Sequence, residues 1–231
     1  MERALPGHYR SRFWLVLSVT LIRMGIYSRY LFPRVINFMM AGDNFVEQRR
    51  ALVANVSGET LEIGFGTGLN LPYYPKSLDH LTIVDINPGM LERARGQIDA
   101  SPIDVEAKVL NGESLPMPEN TFDSVVSTWT LCSIPGVRRA LSEILRVLKP
   151  DGQFFFIEHG LAEEPSLRRW QHRLTPFNKL IGDGCHLDRN MEALIHDAGF
   201  EIETLERFYM KQVPKLGGYQ YRGIGRPIVR H

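Results

Sequence analysis

Thr60-Leu61-Glu62-Ile63-Gly64-Phe65-Gly66-Thr67-Gly68-Leu69-Asn70-Leu71 decides how this chain is read. A short apolar run, Leu61 to Ile63, leads into three glycines at alternate positions. A strand that ends in such a turn brings its backbone close to a ligand, because no β-carbon stands in the way. Twenty-one residues after Gly64 a second apolar run, Leu81 to Val84, ends in Asp85. An acid at that interval is placed to accept hydrogen bonds from a ribose diol. A dinucleotide fingerprint requires a further glycine at its sixth position, and that position holds Leu69. The stretch therefore argues against a nicotinamide oxidoreductase and keeps an adenosyl-type ligand.

Strand and helix patterns alternate around this centre. Val105 to Leu110, Phe122 to Thr128 and Phe154 to Ile157 read as further strands. The Phe-Phe-Phe-Ile run has the continuous apolar character of a strand buried on both faces. Asn87-Pro88 starts a helix with Met90, Leu91, Ala94 and Ile98 on one face. Residues 136–148 place Val137, Ala140, Leu141, Ile144, Leu145 and Leu148 at helical spacing. Lys149 to Gly152 reads as a turn. Leu167 to Ile181 reads as a helix that Pro176 kinks or breaks, and Asp188 as the cap of a helix ending at Gly199. Glu201 to Tyr209 and Tyr219 to Ile224 complete the pattern as an antiparallel pair. The expected fold is α/β, a Rossmann-like, doubly wound, mostly parallel sheet of about seven strands with an N-terminal helical extension. The expected division is an extension over residues 1–40 and one ligand-binding domain over 41–231.

Composition sets limits. The 231 residues are 44% hydrophobic and 23% charged, which suits an ordinary globular protein. A formal net charge of +1 argues against a dedicated nucleic-acid reader. That charge is unevenly spread. Residues 1–34 carry six arginines against Glu2, and residues 207–231 carry six basic residues and no acid. Phe13 to Ile22 is an apolar run too short to span a bilayer. It reads either as a lid packed on the domain or as a membrane-interface segment with Trp14, Tyr27 and Tyr30 at headgroup level. A reduced cytoplasmic protein, free or peripheral at a membrane surface, is the expectation.

Glu62, Gly64, Gly66 and Gly68 resemble motif I of the class I S-adenosylmethionine-dependent methyltransferases. The resemblance implies S-adenosylmethionine as cofactor. It places Gly64, Gly66, Gly68 and Asn70 around the methionine end with Glu62 supporting the loop, Asp85 on the ribose and Ile86 against the adenine. The segment Asn111-Gly112-Glu113-Ser114-Leu115-Pro116 resembles the family's adenine-side motif, with Asn111 where an aspartate is usual and Glu113 as the nearby carboxylate. Thr128 and Trp129, at the end of the fourth strand, fall near the methionine moiety and the acceptor in this family. Thr-Leu-Cys-Ser at 130–133, Glu158-His159 and Asp183-Gly184-Cys185-His186-Leu187 resemble a narrower group, the methyltransferase-like thiol methyltransferases of animal membranes and their bacterial relatives.

His159 follows the fifth strand, at the carboxyl edge where catalytic groups of open α/β folds gather. His159 and His186 are the candidate catalytic residues, as bases for an acceptor that must lose a proton. Cys185, His186 and His159 are metal-ligating types, but their spacing is not that of a metal motif and none is expected. The implied activity is methyl transfer to a small or lipophilic acceptor, with a thiol favoured. A quinone or phospholipid methyltransferase and a non-catalytic cofactor-binding regulator stand as alternatives. No nucleic-acid partner is expected, and the sequence leaves the oligomeric state open.

Overall fold

The computed structural model describes Gly25 and residues 27–228, so the Phe13–Ile22 run lies outside the described residues. A wide helical turn, Tyr27–Leu31, leads into α1 (Phe32–Met40) and α2 (Asp43–Val53). There follow β1 (Thr60–Ile63), β2 (His80–Asp85), α3 (Pro88–Asp99), β3 (Asp104–Val109), β4 (Phe122–Thr128), α4 (Val137–Val147) and β5 (Leu148–His159). The chain continues through α5 (Pro165–Ile181), α6 (Met191–Asp197), β6 (Phe200–Tyr209), the short α7 (Lys215–Gly218) and β7 (Tyr219–Pro227). The strands form one sheet in the order β3-β2-β1-β4-β5-β7-β6. Only β7 runs against its neighbours, β5 and β6. The doubly wound, mostly parallel reading is borne out.

Strand order reverses where β1 pairs with β2 on one side and β4 on the other. Ligands of open α/β sheets bind outside the strand ends at such a switch point. All four residues of β1 are buried, as expected of a strand paired on both edges and covered on both faces. The β5 phenylalanines divide between two cores. Phe154 and Phe156 pack with Leu141 and Ile144 of α4, whereas Phe155 and Ile157 pack with Leu52 and Val53 of α2 and Ala94 of α3.

Three local readings change. β5 begins at Leu148 and passes through the Lys149–Gly152 turn, where its register with β4 shifts and Lys149 pairs with Asp123 at 2.8 Å. Pro176 removes one rung of the α5 ladder without ending the helix. Beside it, the fully buried Gln171 donates to the Gly160 and Leu216 carbonyls and accepts from the Ala162 amide, fastening α5 to the loop after β5. The cap of α6 is Asn190, which accepts from the Ala193 amide, and not Asp188, whose carboxylate faces His172 at 2.9 Å. No helix among the described residues is long and apolar enough to cross a membrane.

The fully buried Phe156 has no room to be replaced by solvent. Phe156→Ala is expected to lower the unfolding free energy by about 3–5 kcal/mol in urea denaturation. The same truncation at Phe38, 85% exposed on α1, is expected to stay within about 0.5 kcal/mol of the parent.

Candidate active site

A cleft of about 950 Å³ opens at the carboxyl ends of β1, β2, β4 and β5. Its floor includes Gly64, Asp85, Thr128 and His159, while Phe32, Val35, Ile36 and Phe45 of α1 and α2 close over it. α1 falls within the helical extension expected over residues 1–40, whereas α2 has no counterpart among the helices expected from the sequence. Arg49 of α2, buried to 3% exposure, donates to the Met40 carbonyl at 2.7 Å and lies 4.8 Å over the Trp129 ring.

The glycine loop is pinned from below. Glu62 is fully buried and accepts from Asn70 Nδ2 and from the Tyr74 hydroxyl, both at 2.7 Å. Burial drives its pKa up to about 7, against the pull of Tyr74, Asn70 and Arg49. Burial likewise lowers Arg49 to about 10. Asn70 spends its second amide hydrogen on Thr128 Oγ1 at 2.9 Å, so one side chain ties β1, the loop and β4 together. Its Oδ1 is buried without a partner. An unpartnered buried carbonyl is costly, and a donor from a ligand in the cleft would satisfy it.

Gly64, Gly66 and Gly68 all adopt positive φ, at 74°, 61° and 84°. A β-carbon on Gly64 would also meet the Thr130 side chain at 2.0 Å. At Gly66 nothing lies nearer than 4.0 Å to such an atom, so this part of the loop faces open cleft. Asp85 accepts from the Gly66 amide through Oδ2 and from the Asn87 amide through Oδ1, each at 2.8 Å. A carboxylate has capacity for about two further bonds, which suits a ribose diol. Ile86 stands 66% exposed beside it, an apolar surface for a base.

On the adenine side Asn111 Oδ1 already accepts from the Glu113 amide at 3.0 Å, which closes a local turn. Glu113 lines the cleft but is committed elsewhere. Its carboxylate accepts from the Gly136 amide at 2.9 Å, before the start of α4, and pairs with Arg139 at 2.5 Å. Each of its oxygens thus has one partner, at Gly136 and at Arg139, while the residue lines the cleft. Gly112 packs against Ile63, where a β-carbon would lie 3.0 Å from its side chain.

At the opposite end, Glu158 is fully buried and accepts from Ser127 Oγ and from the backbone amides of Thr130, Leu131 and Cys132. Burial raises its pKa, and those amides work against the rise. This carboxylate shapes the segment after β4, where Trp129 takes a φ of 50°. The Trp129 indole donates to Gln220 Oε1 at 2.8 Å. His159 Nε2 lies 2.8 Å from Cys185 Sγ, and Cys132 completes a cluster whose ligand-type atoms all lie within 4.8 Å of one another. Burial opposes charge on His159, but Cys185 and Glu158 raise its pKa overall. Cys185 is pushed below the usual thiol range, first by Cys132 and then by His159.

Ten of the thirteen expected site residues line the cleft: Gly64, Gly66, Asn70, Asp85, Ile86, Asn111, Gly112, Glu113, Thr128 and His159. Glu62 and Gly68 support it from behind. His186 is not among the lining residues; its side chain faces Asp188 at 3.7 Å, and burial with Arg189 and Lys179 lowers its pKa. Cys132 and Arg49 are the residues that sequence reasoning passed over. Cys132 had a signal in its place at the end of the β4 segment, whereas Arg49 had none.

The fold and cleft define an α/β protein with a large site at the switch point of its sheet. A family model describing a methyltransferase domain matches residues 61–156. The chain is 38% identical to thiol S-methyltransferase TMT1B of Rattus norvegicus, over 63% of this chain and 61% of that protein. It is 30% identical to a phosphatidylethanolamine N-methyltransferase of Cereibacter sphaeroides, over 67% of this chain and 77% of that one. Among solved structures, the complex of the Haloferax volcanii Trm112 methyltransferase activator with its methyltransferase aligns with a TM-score of 0.67 at 16% identity, covering 88% of this chain and 97% of that one. The chain belongs to the class I S-adenosylmethionine-dependent methyltransferases. It spans about three fifths of the length of the thiol methyltransferase it matches.

The elevated Glu62 pKa has a measurable consequence. Its folded value of about 7 exceeds the ordinary 4.5, so its stabilising contribution is full below 4.5 and lost as pH rises through 7. Wild type is expected to lose about 3 kcal/mol of unfolding free energy relative to Glu62→Gln between pH 4.5 and pH 8. Chemical denaturation across that range checks it; a flat difference would mean that Arg49 keeps Glu62 ionised throughout.

Proposed function

We propose that the chain transfers a methyl group from S-adenosylmethionine to a small, lipophilic thiol. The observation that carries this reading is the layout of one continuous cleft. A glycine loop with Asp85 and an unpartnered Asn70 Oδ1 stands at one end, and a sulfur-lined, apolar-roofed space at the other. In this reading Asp85 takes the ribose hydroxyls, Ile86 lies on the adenine, and Asn70 Oδ1 accepts from the cofactor's ammonium group. The Gly66 backbone leaves room for the cofactor's approach, and Thr128 and Trp129 border the acceptor side. Asn111 and Gly112 edge the base.

The bound cofactor supplies an activated methyl group, so orientation and exclusion of water provide much of the rate. Phe32, Val35, Ile36 and Phe45 give the cleft an apolar roof. His159 is the proposed catalytic residue there, and His186, away from the cleft, has no part. The thiol preference is supported by the relatives named thiol S-methyltransferase.

Access is the second element. Tyr30, Leu31, Val35, Phe38 and Met39 are exposed around the mouth of the cleft, and Phe177, Leu180 and Ile181 at the end of α5 are exposed as well. Tyr27 donates to the Ile181 carbonyl at 2.7 Å, so the two apolar groups adjoin. Together they form a surface suited to a peripheral membrane contact from which a lipophilic acceptor enters.

Transfer of labelled methyl from S-adenosylmethionine to an alkanethiol, a demethylated quinol and phosphatidylethanolamine tests the reading. The thiol is expected to show the highest kcat/KM. Cofactor binding without transfer to any acceptor would favour the regulatory alternative, and transfer to phosphatidylethanolamine alone would favour the phospholipid one. Asp85→Ala is expected to weaken cofactor binding by about 10–100-fold in calorimetry, the equivalent of one or two charge-assisted hydrogen bonds. His159→Ala is expected to reduce turnover on the thiol by about a hundredfold, and His186→Ala by less than about twofold.

A further inference from the structure

Cys132, His159 and Cys185 meet at the acceptor end of the cleft, contributed by the segment after β4, the end of β5 and the loop after α5. Both cysteines are free. The three ligand-type atoms lie within 4.8 Å of one another. Ligands at tetrahedral positions on zinc, about 2.0–2.3 Å from the metal, stand roughly 3.5 Å apart. Small side-chain adjustments therefore bring the three atoms to ligand positions. His159 is only 9% exposed, and the ring nitrogen that faces the cluster is Nε2, 2.8 Å from Cys185 Sγ.

The surrounding backbone is held for this arrangement. Glu158 accepts from the Cys132 amide at 3.2 Å, His186 N donates to the Cys132 carbonyl at 2.9 Å, and Asn178 Nδ2 donates to the Cys185 carbonyl at 2.9 Å. Two thiolates and one imidazole form a donor set that suits zinc and leaves a fourth position vacant. All three residues line the same cleft as the glycine loop, so that position is directed to the acceptor space.

We propose that Cys132, His159 and Cys185 bind one zinc(II) ion whose open fourth position takes the acceptor thiol as thiolate. The metal-binding half of this stands on geometry alone, and the acceptor half rests on the thiol reading above. The thiol loses its proton to solvent water as its sulfur replaces a water molecule on the metal. A sulfur lone pair then forms the new S–CH₃ bond while the sulfonium S–CH₃ bond breaks, its electrons returning to the departing sulfur. The resulting thioether is neutral, a weaker ligand than a thiolate, and yields its place to water. His159 thus contributes as a ligand and no separate base is required.

The test uses the full chain, purified in the presence of zinc and desalted, with metal content measured by plasma emission. About one zinc per chain is expected. Cys185→Ser and Cys132→Ser are each expected to reduce it at least tenfold, and His196→Ala, on the exposed end of α6, to leave it unchanged. Cys132 is buried, so Cys132→Ser risks misfolding; the cobalt(II)-loaded wild type supplies a readout independent of substitution. It is expected to show thiolate-to-cobalt charge-transfer absorption that shifts saturably when a simple alkanethiol is added without cofactor. Zinc below about a tenth per chain, zinc unaffected by Cys185→Ser, or a cobalt spectrum insensitive to the alkanethiol would each overturn the proposal. A thiol-responsive cobalt spectrum together with no methyl transfer to thiols would leave the metal site standing and refute the thiol methyltransferase reading instead.

Discussion

The buried Glu62 carboxylate is the constraint on which the cleft depends. It sits on the innermost strand of the parallel half of the sheet, with no solvent contact, and is tolerated because Asn70 and Tyr74 both donate to it. The carboxylate holds Asn70, Asn70 holds Thr128, and the glycine loop between them has little freedom left. Removing one partner would leave a charge or an amide buried and unmatched, which is why such networks are costly to break. A second buried carboxylate, Glu158, does the same for the acceptor side by gathering three backbone amides after β4. Parallel strands end in loops whose amides lack sheet partners. Here Glu158 supplies such partners after β4, whereas Glu62 holds its loop through the side chains of Asn70 and Tyr74.

Function follows from what these acids leave unsatisfied. On the Glu62 side the remaining capacity is polar: two free acceptor positions on Asp85 and the bare Asn70 Oδ1. On the Glu158 side it is soft and apolar, with two sulfurs, one imidazole and a roof of hydrophobic side chains. The polar half matches an amino-acid-bearing nucleoside. The soft half is what supports the proposed lipophilic thiol, and the proposed metal site would give it thiolate chemistry. Arg222 and Arg226 pair with Glu206 and Glu203 on the neighbouring strand, so part of the C-terminal charge is spent within the sheet.

Much of this was legible in the sequence wherever one residue type has one physical use. Alternate glycines suit a turn at positive φ, an acid after β2 suits a ribose, and an all-apolar β5 suits a strand covered on both faces. Those three features located the fold and the cleft at its switch point. Contacts between distant segments were not legible. His186 looked equivalent to His159 because both follow candidate edge positions, yet the turn at Asp183 and Gly184, both at positive φ, is followed by Cys185 facing the cleft while His186 turns to Asp188. Cys132 and Cys185 are far apart in sequence and show no ligand spacing, so only the fold brings them together. Glu113 read as a free carboxylate because the Gly136 amide and Arg139 that occupy it lie more than twenty residues away.

The central claim is that one cleft holds the cofactor's nucleoside on Asp85 and presents its sulfur to the Cys132–His159–Cys185 end. A crystal structure with S-adenosylhomocysteine tests it most directly. Both ribose hydroxyls are expected on Asp85, the ammonium group on Asn70 Oδ1, and the thioether sulfur facing the space beside His159 and Cys185. A ligand seated with its sulfur turned away from that space, or held without Asp85, would contradict it.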